Sequence, residues 1–140
     1  MATYLQMKGF KKAQKKFDSM EKKLKNPSTA MKVIGQIGSR DIVEHFNKTE
    51  GPGGRKWKAL KSPRKNGGSK PLNDKGVLRN TMRVEAGRYF VTLIKNVKYA
   101  AIHNEGYAAR NIAQRKFMYT TKTAKKSMVK TLLRYIIGSN

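Results

Sequence analysis

Five residues of this chain carry side chains that could serve a hydrolytic metal centre. Asp41 and Glu44 stand three apart on one helical face, His45 follows, and His103 and Glu105 lie further along. A hard cation needs several carboxylate oxygens gathered around it. The chain holds only 8 acids among 140 residues, and they do not cluster. The five read better as solvated surface carrying ordinary acid–base pairs. Phosphate-cradling loops fare no better. Gly51-Pro52-Gly53-Gly54 lacks the Lys-Ser or Lys-Thr ending and the helix that should follow, and Gly67-Gly68-Ser69-Lys70 is equally unconvincing. No nucleophile sits beside an activating group. We therefore expect no catalytic residue, no metal and no cofactor.

His103 has a structural reading beside the chemical one. An imidazole offers a donor and an acceptor in one rigid plane. As a partly buried ring it would satisfy a backbone carbonyl and fix the turn towards Gly106, with Tyr99 and Ile102 packed around it. As a base or ligand it would need an acid, and Glu105 alone is near in sequence. The structural reading is preferred.

Basic residues interleave with aromatics at Arg55-Lys56-Trp57-Lys58 and again from Arg110 to Tyr119. That mixture can contact phosphates and stack on bases. The formal net charge is +24, and a chain so basic either neutralises phosphates or meets acidic protein. No base-reading signature such as a helix-turn-helix occurs, so any DNA contact should be independent of sequence. An acidic protein neighbour would leave the same trace.

These side chains need elements to hold them. One domain over 1–140 suits the length. With no cysteine, disulfides and thiolate metal sites are excluded. No apolar run approaches the ~20 residues of a bilayer span, and the N-terminus lacks a signal-peptide pattern, so no membrane partner and an intracellular setting are expected. Met7, Phe10, Gln14, Phe17, Met20 and Leu24 recur at steps of three or four among lysines. They predict an amphipathic helix over Thr3–Lys25, with Gly9 weakening its first turn. Its stripe packs either on its own domain or on a neighbouring subunit. Ser28 is a candidate cap for a second helix, Thr29–Asn47, whose Gly35 and Gly38 allow close backbone approach. The two helices should form a hairpin over a sheet.

Residues 48–75 turn to Gly, Pro, Ser, Lys and Asn, which predicts a flexible basic loop pinned near Trp57 and Leu60. A short helical turn from Leu78 leads into Met82–Ala86 and Tyr89–Ile94, read as a hairpin with Gly87 at positive φ. Tyr99–His103 continues as an extended or short helical segment. Thr120–Ile137 reads as a helix stopped by Gly138. The fold class is α+β: N-terminal helices and a C-terminal helix packed on a small antiparallel sheet, with a long basic loop.

Several of these elements, in their order, carry a resemblance. Trp57 with Leu60 precedes the basic loop, and Gly76 and Leu78 lead into the hairpin. Tyr99, Ala100, Ile102, His103 and Gly106 follow, then Arg115 and Phe117 before the last helix. This pattern resembles the virion morphogenesis (tail completion) family of tailed bacteriophages. Asn104, Gln114 and Lys116 depart from it, where a Gln after the His and prolines around the Arg are usual. The resemblance implies a non-enzymatic structural protein of the virion neck or tail, a head–tail joining subunit. It implies a homo-oligomeric ring around a DNA channel, contacting neck, portal-side or tail proteins and, non-specifically, DNA. Assembly would take place in the host cytoplasm. On this reading Lys56, Lys58, Lys61, Arg64 and Lys65 are the candidate partner or DNA contacts, and Phe10 and Phe17 the candidate subunit interface. The alternative is a sequence-independent nucleic-acid-binding protein.

Overall fold

The computed structural model describes residues 8–138. The expected helical segment Thr3–Met7 lies outside them. Helix α1 spans Phe10–Lys25 and follows Gly9, whose φ of 102° is a left-handed conformation open mainly to glycine. Its last turn carries Lys22, Lys23 and Lys25, cations that suit the negative end of the helix dipole. Helix α2 spans Ser28–Lys48, but Ser28 is its first helical residue and not its cap. Pro27 holds the cap position and has no side-chain acceptor to offer. The Asn26 Oδ1 atom accepts from the Ser28 N–H instead, at 3.4 Å.

A 3-10 turn at Pro52–Gly54 interrupts the long connection. The short helix α3, Val77–Asn80, then leads into strands β1, Met82–Ala86, and β2, Val91–Lys95. The strands pair antiparallel from Met82 opposite Lys95 to Ala86 opposite Val91. Tyr89 and Phe90 are not in the second strand, contrary to the expectation. They form the exposed end of the hairpin. Gly87 does not take positive φ either. It is needed because the Phe90 ring lies where its Cβ would be, while its N–H donates to the Phe90 carbonyl at 2.9 Å. Helix α4 spans Ala100–Glu105, and a 3-10 turn follows at Ala108–Arg110. Helix α5, Lys122–Ile137, starts at Thr121, whose hydroxyl accepts from the Ala124 N–H at 3.1 Å, and ends at Gly138 with φ 91°.

The fold is mixed α+β, with α2 at its centre. One flank of α2 rests on the hairpin and another on α5. Glycines make this possible. A Cβ on Gly35 would run into Val84 Cγ1, and one on Gly38 would stand 2.8 Å from Leu93 Cδ1 and 3.2 Å from Met128 Cε. Helix α1 has a different place from the one expected. It leans on α5 and buries none of its residues. Tyr135 joins the two, its hydroxyl donating to the Asn26 carbonyl at 3.2 Å under Lys23. Phe46 and Phe117 are fully enclosed, and Ile42, Trp57, Leu78 and Ala100 complete the core around them. Each such large side chain contributes about 1.5–3 kcal/mol by leaving water. Among the described residues no helix is long and apolar enough to cross a membrane.

Candidate partner-binding site

The segment Arg115–Met118 is held from three directions. Arg115 donates its backbone N–H to the His103 carbonyl at 2.8 Å. Its guanidinium reaches the other way, to the Lys58 carbonyl at 3.0 Å through Nε and to that of Ala59 at 3.5 Å through Nη2. Trp57 Nε1 donates to the Lys116 carbonyl at 3.2 Å. Asn104 is buried, and its Oδ1 accepts from the N–H groups of both Phe117 and Met118, at 3.0 and 2.9 Å. From α2, His45 Nδ1 lies 2.9 Å from the Phe117 carbonyl. A carbonyl only accepts, so that nitrogen carries the proton. The same ring stacks on Tyr119 at 3.8 Å, within 3° of parallel.

These clamps reassign the two histidines. The ring N–H to carbonyl bond expected of His103 belongs to His45. His103 Nδ1 is buried with no hydrogen-bond partner among the described residues. Burial and the nearby Arg115 charge lower its pKa, which favours the neutral ring. Tyr99 meets it edge-on at 5.9 Å but is exposed, not packed in the core. Gly106 turns the chain at φ 79°, where a Cβ would stand 2.9 Å from the Gln114 nitrogen. Trp57, Leu78, Ala100 and Phe117 meet in the core.

Above that core is an open cleft of about 420 Å³. Gly76 at φ 72° and Val77 form one wall, Tyr99, His103 and Arg115 another, and Leu60, Leu72 and Leu78 supply apolar surface. Leu72 adopts φ 59°, unusual for a branched side chain, and from there packs on the core. Arg64, Lys75 and Arg115 outnumber the one acid, Asp74. The structure thus brings Gly76, Leu78, Tyr99, His103 and Arg115 to one place from three separate stretches of chain.

The five basic candidates divide. Lys56 Nζ donates to the Lys48 carbonyl at 2.8 Å and lies 3.5 Å from Glu50. Arg64 Nη1 donates to the Lys70 carbonyl at 2.8 Å, with Nε 3.9 Å from Asp74. Lys58, Lys61 and Lys65 are exposed. Phe10 and Phe17 are 63% and 67% exposed, so the α1 stripe is not covered by the other described residues.

The acids around α2 serve architecture. Both Asp41 oxygens accept from Thr121, one from its N–H and one from its hydroxyl, each at 2.8 Å, which ties the start of α5 to α2. Glu44 accepts from Asn47 at 2.9 Å. His103 and Glu105 lie on α4, and no three ligand-type side chains gather to hold a metal among the described residues. Sequence reasoning passed over Asn104 and Asp41 as anchors. Their partners lie 13 to 80 positions away, and no local pattern marks such a bond.

The fold and the cleft define a small basic α+β module, joined by side chains clamped onto distant backbone. The chain belongs to the phage virion morphogenesis family, whose model matches residues 9–136. Its role is accordingly in phage virion assembly. No curated protein and no solved structure matches it.

Proposed function

We propose that the chain is a non-enzymatic structural subunit of the virion neck, a tail completion protein that forms part of the head–tail connection. The observation that carries this reading is the match to a virion morphogenesis family over nearly the whole domain. The surface supports it. Helix α1 presents Phe10, Phe17 and Leu24 to solvent, and α5 presents Val129, Leu133 and Ile137. A lone subunit leaves such surface unburied, and closed cyclic symmetry lets small domains cover it. Copies therefore assemble into a homo-oligomeric ring, with α1 at the subunit contact and the exposed lysines of the loop facing DNA or an acidic neighbour.

Disrupting the gene tests this reading. The expected result is full heads and finished tails that accumulate unjoined and are rescued by the wild-type chain. Normal joined particles would refute it. The second reading, a sequence-independent nucleic-acid-binding protein, is favoured by the +24 charge. It predicts binding to duplex DNA that collapses steeply as salt rises, with no defect in joining.

A further inference from the structure

We infer that the cleft between α3, α4 and the Leu60–Lys75 segment is a docking site for an acidic peptide segment of another virion protein. This rests on the proposed structural role only for the origin of the partner. At about 420 Å³ this open cleft lies towards the small end of ligand-site sizes, room for one or two side chains of a partner. Its chemistry is two-sided. Leu60, Leu72 and Val77 offer a seat for one bulky apolar side chain, while Arg64, Lys75 and Arg115 face it with a net excess of positive charge over Asp74. Lys75 is exposed.

Three features favour an acidic peptide over other occupants. Single-stranded nucleic acid binds through aromatic platforms, and among the residues lining the cleft Tyr99 is the one large aromatic ring, set edge-on to His103. Aliphatic seats flanked by cations suit a leucine or phenylalanine between carboxylates. A second copy of this chain is a poor source of that segment: its closest acid pairs, Asp18 with Glu21 and Asp41 with Glu44, are locked in α1 and α2, where Ile42 is buried and Asp41 is already held by Thr121. The occupant is therefore a different and acidic protein.

The test is an NMR titration of the ¹⁵N-labelled full chain with the acetylated peptide Glu-Asp-Leu-Phe-Glu, at about 0.3 M salt to shorten the reach of surface charge. The expected result is shifted amides confined to Leu60, Leu72 to Leu78 and Tyr99 to His103. Val77→Ser and Lys75→Glu should each weaken binding about tenfold. Lys126→Glu, the same charge change on exposed α5 and outside the cleft, should alter it less than about twofold, as an exposed charge does. Val77 and Lys75 are exposed, so both variants should keep the wild-type spectrum elsewhere. No binding, shifts scattered over the surface lysines, or equal losses in Lys126→Glu and Lys75→Glu would overturn the proposal. So would displacement of the peptide by short oligothymidine that binds the same walls more tightly, which would make the occupant nucleic acid. None of these outcomes bears on whether the protein sits in the neck, so the two readings fail separately.

Discussion

Asn104 shows what one residue does here. Its carboxamide oxygen holds two consecutive backbone N–H groups of the segment that closes the core. Removing a buried acceptor leaves each donor to bear its desolvation, about 1–3 kcal/mol. Asn104→Ala should therefore lower stability by about 3 kcal/mol in urea unfolding, and Asn104→Asp, which keeps an acceptor, should lose less. Lys95 makes a prediction of pH dependence. Burial pushes its ammonium pKa down to about 8, while Nζ donates to the Arg79 carbonyl at 2.9 Å. A base depressed by folding contributes fully only above its unfolded pKa of ~10.4, and that contribution is lost as pH falls through the folded value. At neutral pH the native chain thus holds a half-buried cation at a cost. Lys95→Met should raise stability at pH 7 by about 1 kcal/mol, discounted for the part of the group still in water, with less gain near pH 10.

At the scale of elements, the two glycines of α2 set how closely the layers approach. Alanine would favour an isolated helix by about 1 kcal/mol. At Gly35, however, the new methyl meets Val84, whose branched side chain is stiff, and overpacking costs about 1–3 kcal/mol. Gly35→Ala should be destabilising by about 1 kcal/mol net. Gly38→Ala should cost less, because it meets the mobile ends of Leu93 and Met128. Thermal unfolding of the pair checks the order. The helices were legible because periodicity and glycine stops are local signals, and Gly138 ends α5 where the pattern stops. The hairpin was legible in its existence but not its edges. Tyr89 and Phe90 have strand-like side chains, yet propensity for strand depends on packing context, and they cap the turn. The cleft was half legible. Gly76, Tyr99, His103 and Arg115 were visible as a motif, but Leu72 joins them only through the fold, as Asn104 reaches Phe117 only through it.

The whole molecule combines a small core with a large unpartnered surface. Phe17 contributes little to folding, since it is two-thirds exposed on a helix with no buried residue. Phe17→Ser should leave stability within about 0.5 kcal/mol, as exposed substitutions do, yet fail to restore joined particles when it replaces the wild-type chain. Charge acts at this scale too. A +24 subunit repels its own copies, so ring assembly should need DNA, an acidic neighbour or raised salt to screen it, and sedimentation across a salt series would show this. The most direct measurement is cryo-electron microscopy of the mature virion. A symmetric ring of this chain at the head–tail junction, with α1 against the next subunit, is the predicted result. Virions whose neck and tail density holds no copy of it would contradict the account.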